Sequence, residues 1–370
     1  MPFQVSTKIV DCPSIGNFFT EWEVGQTDLI ITNEYVLHPH LAGRAVPCDV
    51  LYQEKFGTGE PTDEMIDLMF KAVAGKSYER VIGIGGGTIL DIAKLFVFGD
   101  GLACDEIFAQ SAALPRRRKL LVIPTTCGTG SEVTMISIVR FEKKNSKMGL
   151  AVPALFPDEA VIIPGLLLTQ PYEVFASSSI DALIHAVESF VSPKATPFSN
   201  AMGRDAIERI VSGYKALKAG GTQRLPDTEG MYGFMAASTM AGIAFGNAGV
   251  GAVHAISYPV GAIYHVPHGK ANYMFFAAVF AAYKKRGADL SCLETVLSQA
   301  LACPTEQVWD MLIDLINFML PRQSLAELGA DDAKCREMAA SVIKNQQRLL
   351  VNNPTELTEE DIYNIYLSCL

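Results

Sequence analysis

The chain has 370 residues, 49% of them hydrophobic and 19% charged, which is more length than a single core usually spans and ample apolar material for two. With 40 acidic side chains against 30 basic ones the net charge is −10. The one basic run, Arg116-Arg117-Arg118-Lys119, is too short for a phosphate-binding stripe, so a nucleic-acid-binding protein is not expected.

Eight cysteines at 12, 48, 104, 127, 292, 303, 335 and 369 form no Cys-x2-Cys pair and no framework spacing, a pattern of reduced thiols. The N-terminus lacks a signal-peptide apolar core, and no run of 18 or more apolar residues marks a membrane span. A cytoplasmic protein is expected, with no membrane partner.

In chain order, Asp28–Thr32 reads as a strand ending at Asn33, and Glu60-Pro-Thr-Asp-Glu64 as a capped helix start. Arg80-Val-Ile-Gly-Ile-Gly85 is a buried strand running into glycines, followed by a helix from Thr88 to Phe96. Lys119–Pro124 is a further strand, 136–152 a hairpin turning at Lys144-Asn145, and 160–163 one more strand. This alternation predicts an open, largely parallel α/β sheet. After Pro171 the texture becomes helical, with segments at 200–217, 230–245, 271–285, 306–319 and 333–350. Two domains follow: an α/β domain over 1–171 and an all-α domain over 172–370.

Two loops of the first domain suit a nucleotide. Gly83-Ile-Gly85-Gly86-Gly87-Thr88 lies between a strand and a helix, where bare backbone N–H groups and the helix N-terminus favour a pyrophosphate. As a dinucleotide fingerprint it is a near miss, with Thr88 where the third glycine should stand. Thr125 to Ser131 also follows a strand and offers hydroxyls and glycines.

The stretch from Asp181 to His268 holds four of the six histidines. Asp181 and His185 are four apart in a helical pattern, so one helix face presents both. His254 and His268 would complete one carboxylate and three imidazoles, a donor set for a first-row divalent ion such as Fe(II) or Zn(II).

These blocks resemble the iron-dependent (group III) alcohol dehydrogenases. Gly85-Gly-Gly-Thr-Ile-Leu-Asp91-Ile-Ala-Lys94, Pro124-Thr-Thr-Cys-Gly-Thr-Gly-Ser-Glu132-Val-Thr134, Asp181-Ala-Leu-Ile-His185-Ala and Pro267-His268-Gly-Lys-Ala-Asn272 occur in that family's order, and the likeness reaches Asn352-Asn-Pro near the C-terminus. It implies a dehydroquinate-synthase-like fold: a nucleotide-binding α/β domain and a helical domain, with metal and substrate in the cleft between. It implies Asp181, His185, His254 and His268 as metal ligands. It also implies Asn33, Gly86, Gly87, Thr88, Asp91, Thr125, Thr126, Thr129, Thr134 and Lys147 as the cofactor site, and a homodimer. Where many members carry a histidine four residues after the third ligand, this chain has Tyr258. His265, where relatives often have Asn or Asp, is a replacement candidate for proton handling. Asn33 stands where an aspartate often excludes the 2′-phosphate of NADP, which leaves NAD expected and NADP open, with Glu34 beside it still acidic.

The stretches Glu54–Met65, Gly242–His254 and Gln346–Asn353 are similar to members acting on 4-hydroxybutyrate. The resemblance thus implies metal-assisted hydride transfer between 4-hydroxybutyrate, or another small primary alcohol or diol, and a nicotinamide, with Lys270, Arg348 and His265 as candidates for the substrate carboxylate. His38 and His40 read as loop surface. A dehydroquinate-synthase-like lyase, which shares the fold, and a non-enzymatic metal- or nucleotide-binding protein are the rivals.

Overall fold

Strands that must be buried on both faces read as unbroken apolar runs, and four such runs make the middle of a six-stranded sheet. A computed structural model describes residues 3–99, 101–144, 146–221 and 223–370. Two compact units result, Val5–Gln170 and Pro171–Leu370, the second joined by N-terminal residues up to Gln4.

The strands of the first unit are β1 (Lys8–Asp11), β2 (Asp28–Thr32), β3 (Asp49–Tyr52), β4 (Arg80–Gly85), β5 (Lys119–Pro124), β6 (Ile136–Phe141), β7 (Ser146–Ala151) and β8 (Glu159–Ile162). Its helices are α1 (Ile15–Glu21), α2 (Glu34–Leu37), α3 (Asp63–Ala72), α4 (Gly87–Leu95) and α5 (Cys104–Gln110). The sheet order is β1-β8-β5-β4-β2-β3, every pair parallel, with β6 and β7 forming a separate antiparallel hairpin. Of the expected turn at Lys144-Asn145, Asn145 lies outside the described residues. Alternate residues of the inner strands, Leu29, Ile31, Val81, Leu120 and Val122, join Met65, Phe70, Ile89, Ile92, Phe96 and Ile107 in one core. Because β3 lies on one side of β2 and β4 on the other, the direction of winding reverses between β2 and β4. Ligands of open parallel sheets sit beyond the carboxyl ends of the strands at such a point.

The second unit is helical: α6 (Tyr172–Val191), α7 (Pro197–Ala219), α8 (Thr228–Ala248), α9 (Ala252–Tyr264), α10 (His268–Lys285), α11 (Ser291–Leu301), α12 (Val308–Met319), α13 (Asp332–Asn345), α14 (Gln347–Leu350) and α15 (Glu359–Ser368). Helix α6 is at its centre, packed by α7, α8 and α10. By length and composition α6 would cross a membrane, but 78% of its apolar window is buried inside the protein, as a core helix must be. Helices α8 and α9 meet at 105° across Gly249–Gly251, where Gly249 takes φ +79, a conformation side chains other than glycine rarely adopt. All eight cysteines are free thiols.

Candidate metal centre and nucleotide loops

Helix α6 projects Asp181 and His185 from one face, 2% and 5% exposed, among apolar neighbours. The turn after α8 delivers His254 on the first turn of α9, and α10 opens on His268. Gly269 lets α10 approach: a Cβ there would stand 2.1 Å from the Ser177 carbonyl oxygen and 3.2 Å from Asp181 Cβ. One donor atom from each of Asp181, His185, His254 and His268 lies within 4.8 Å of all the others. His254 Nε2 is 3.7 Å and His268 Nε2 3.9 Å from Asp181 Oδ1, and His185 Nδ1 is 4.0 Å from Oδ2. Bonds of ~2.1 Å in a tetrahedron place donors roughly 3.4 Å apart, so the four need only a small contraction to share one ion.

Two observations test whether a cation fits. His254 Nε2 is buried with no hydrogen-bond partner, although an orphaned buried acceptor is costly. Its other nitrogen, Nδ1, is 2.5 Å from Glu188 Oε2. A neutral imidazole donating Nδ1–H to Glu188 leaves the Nε2 lone pair directed at the other donors, the arrangement of a metal-ligating histidine backed by a carboxylate. Burial, then the charge of His268, pushes the His254 pKa down to about 3, so the ring is neutral at physiological pH. Burial acts against ionisation of Asp181, but His185, His268 and His254 and the Asn272 amide hold its pKa below the usual value. Asn272 Nδ2 donates to Asp181 Oδ1 at 2.7 Å and sits 3.2 Å from His268 Nε2. The residues present fit a divalent cation.

Glu188 is the functional side chain that sequence reading missed. It is 2% exposed and accepts the Val253 N–H at 2.7 Å as well as His254. Burial raises its pKa to about 7 against these hydrogen bonds. Its signal was available: Asp181, His185 and Glu188 follow the i, i+4, i+7 spacing of one helix face. Glu188→Ala is expected to weaken Zn(II) or Co(II) affinity 10- to 100-fold, roughly the cost of losing such a backing carboxylate, in a chelator-competition titration. Unchanged affinity would remove Glu188 from the site.

Of the two expected proton-handling residues, Tyr258 lies close, its ring centre 5.9 Å from that of His268. His265 is exposed at the left-handed carboxyl cap of α9 (φ 55) and is not one of the four convergent side chains.

In the α/β unit the two loops start side by side. Gly85 pairs with Pro124, and the Thr125 N–H donates to the Gly85 carbonyl at 3.0 Å. A Cβ on Gly87 would come within 2.7 Å of Thr129 Cγ2, and one on Gly86 within 3.2 Å of Thr126 Cγ2. A side chain at Gly87 would therefore require Thr129 to shift, and one at Gly86 would press on Thr126. Gly86 caps α4 without any side-chain hydrogen bond. Thr88, Thr126 and Thr129 are partly exposed around this turn, and Thr125 is buried.

The other expected cofactor residues are engaged within the unit. Asp91 accepts from Ser131 Oγ at 2.6 Å and from the Ile138 N–H at 2.9 Å. Lys94, fully buried, donates to Ser131 Oγ (2.6 Å), Thr134 Oγ1 (3.2 Å) and the Ile136 carbonyl (2.6 Å). Lys147 pairs with Glu60 at 2.6 Å. Asn33, 5% exposed at the end of β2, donates to Gln53 Oε1 (2.8 Å) and Glu54 Oε2 (2.9 Å), while the Glu34 N–H donates to Glu54 Oε1 at 2.6 Å. His38 and His40 bond Tyr52 and Thr169 near the surface.

Residues 23–164 match the family model described as iron-containing alcohol dehydrogenase, and 175–370 match that of the Fe-containing alcohol dehydrogenase family, C-terminal. The chain is 41% identical over 352 residues to 4-hydroxybutyrate dehydrogenase of Clostridium kluyveri, covering 94% of each protein. It is 33% identical to long-chain-alcohol dehydrogenase 1 of Geobacillus thermodenitrificans over 86% of this chain and 80% of that one. Its fold superposes on sulfoacetaldehyde reductase from Bifidobacterium kashiwanohense, solved in complex with NAD+, with a TM-score of 0.86 at 21% identity over 100% and 98% of the two chains. For the iron-containing alcohol dehydrogenase of Thermococcus thioreducens the TM-score is 0.84 at 26% identity, over 100% and 99%. With both halves matched and the helical one built around convergent carboxylate and imidazole donors, the chain belongs to the iron-containing alcohol dehydrogenase family.

Proposed function

We propose that this chain is a cytoplasmic, metal-dependent dehydrogenase that interconverts 4-hydroxybutyrate and succinate semialdehyde with NAD. The observation that carries the chemistry is the convergence of Asp181, His185, His254 and His268 around an orphaned His254 Nε2. The 41% identity to the Clostridium kluyveri enzyme supports the substrate. A divalent ion held by these residues, Fe(II) or alternatively Zn(II), supplies Lewis acidity that lowers the pKa of the substrate hydroxyl and polarises the carbonyl in reverse. The nicotinamide supplies the hydride acceptor.

The chain's own residues do the rest. Glu188 fixes the His254 ring, and Asn272 steadies the Asp181 carboxylate. Tyr258 supplies a phenolic hydroxyl beside His268 for proton movement at its Oη, and the exposed His265 imidazole exchanges protons with water. Gly86, Gly87 and Thr88 present the α4 N-terminus to the pyrophosphate, with Thr125, Thr126 and Thr129 around it. Asp91, Thr134 and Lys147 act at one remove, by holding these loops and the hairpin. The preference for NAD comes from Glu54, whose carboxylate is fixed at the carboxyl ends of β2 and β3 by Asn33 and the Glu34 N–H, with Glu34 adjacent. A 2′-phosphate placed there meets like charge.

An anaerobic assay of Fe(II)- or Zn(II)-loaded protein tests this reading. Succinate semialdehyde is expected to be reduced faster than butyraldehyde, and with NADH rather than NADPH. Equal rates on butyraldehyde would contradict the hydroxy-acid substrate and leave the family's chemistry standing.

A further inference from the structure

We infer that Tyr283 and Asn353 are positioning residues of the metal centre, a buried phenol–amide pair that fixes the start of α9 and through it the His254 ring, an inference that rests on the metal site proposed above. The pair ties the Asn352-Asn-Pro block near the C-terminus to a site whose donors all lie much earlier in the chain. Donors that must share one ion have to be held to within a fraction of an ångström, which their own rotamers do not secure.

The first N–H groups of a helix have no partner inside it, and a side chain of the capping residue usually accepts one of them. Helix α9 opens on Gly251, which has no side chain to do so. Two neighbouring helices supply the acceptors instead. Tyr283 of α10 takes the Ala252 N–H on its Oη at 3.2 Å, and Glu188 of α6 takes the Val253 N–H on Oε1 at 2.7 Å. His254 is the next residue, and its Nδ1 meets Oε2 of the same carboxylate at 2.5 Å. The two peptide groups that lead into the ligand are therefore anchored from two sides.

Asn353 sets the direction of the phenol. A hydroxyl has one proton, and with Oη accepting the Ala252 N–H that proton goes to Asn353 Oδ1, 2.7 Å away. Tyr283, Asn353 and Glu188 are all buried, so no bulk water replaces a lost partner. Their oxygens gather around one glycine: a Cβ on Gly251 would stand 2.6 Å from Asn353 Oδ1, 3.2 Å from Tyr283 Oη and 3.3 Å from Glu188 Oε1. A phenol deprived of Asn353 faces the Glu188 carboxylate across that glycine, and a proton donated there competes with His254 Nδ1–H. Asn352 holds the same turn, donating from Nδ2 to the Val250 carbonyl at 2.9 Å.

The test compares the parent with Tyr283→Phe, Asn353→Ala, the double variant and a matched control, Tyr366→Phe. The control deletes a buried hydroxyl that also bonds α9, at the Ile256 carbonyl (2.6 Å), beyond His254. Each protein is titrated with Zn(II) against a chelator, its Co(II) form is examined by visible absorption, and its urea midpoint is measured. Tyr283→Phe is expected to weaken Zn(II) binding ~10-fold, the lower end of what losing a group behind a metal ligand costs, and to alter the Co(II) spectrum. Tyr366→Phe lowers the urea midpoint but keeps the parental spectrum and holds Zn(II) to within about twofold, as an independent site should. The double variant loses no more affinity than the weaker-binding single one, because the two groups act as a unit. Parental affinity and spectrum in Tyr283→Phe, or an equal loss in Tyr366→Phe, overturns the positioning role and leaves the metal centre standing. Additive losses in the double variant overturn the coupling of Asn353 to Tyr283. A parent protein that binds neither ion overturns the metal centre itself, and the positioning role with it.

Discussion

Replacing His268 with alanine is expected to lower turnover by ~10³-fold or more while NADH binding stays as in the parent. His268 has a side chain 33% exposed and stands at the first position of α10, so its loss leaves no buried cavity and little cost to folding. What it removes is one of three imidazoles around Asp181. Lewis-acid assistance contributes several kcal/mol to such a reaction, and each 1.36 kcal/mol is about a factor of ten. In the function proposed above, nucleotide binding rests on the glycine and threonine loops of the other unit. Fluorescence titration with NADH, run beside the activity assay, separates the two effects. A His268→Ala protein that retained a tenth of parental turnover would place the chemistry elsewhere, and a non-catalytic binding protein would have no turnover to lose.

The second large effect is on stability. Asp91→Asn is expected to destabilise the protein by about 3 kcal/mol, read as a lower urea midpoint, because it leaves the fully buried Lys94 ammonium without its nearest countercharge. Asp91 Oδ1 is 3.7 Å from Lys94 Nζ, and both share Ser131 Oγ. Burial pushes the Lys94 pKa down to about 8 against the pull of Asp91 and Glu132. The sign of the pH dependence follows. The folded state holds fewer protons at this site than the unfolded chain between pH 8 and about 10.5, so Lys94's own contribution rises with pH across that window and is lost as pH falls through 8. Removing the Asp91 charge lowers the folded pKa further and extends the window towards neutrality. A midpoint unchanged by Asp91→Asn would show that the three hydrogen-bond acceptors of Lys94 suffice alone. The same substitution loosens the clamp between α4 and the Ser131–Ile138 segment, so weaker NADH binding is expected with it.

Much of this was legible in the sequence because the physics behind it is local. The inner strands β2, β4 and β5 read as unbroken apolar runs, and the alternation with helices gave the parallel sheet. Edge strands β1 and β3 were not legible. They are four residues each and mostly exposed or half-exposed, so no apolar run marks them. The stretch 333–350 reads as one helix but breaks at Gln346, with no glycine or proline to announce it. At the metal centre, the i, i+4 pair Asp181 and His185 advertises itself, whereas Glu188 has meaning only once α9 brings His254 Nδ1 against it. Asp91, Thr134 and Lys147 sit in motifs that resemble cofactor loops, yet their partners Ser131, Lys94 and Glu60 are contacts that only folding supplies.

The most direct measurement is anomalous diffraction from crystals grown with Fe(II) or Zn(II) under anaerobic conditions. One peak per chain is expected, about 2.0–2.2 Å from an Asp181 oxygen and from one nitrogen each of His185, His254 and His268, with His254 Nδ1 still on Glu188. A peak bound elsewhere, or imidazoles that stay apart in metal-saturated crystals, would contradict the shared ion on which the proposed chemistry depends.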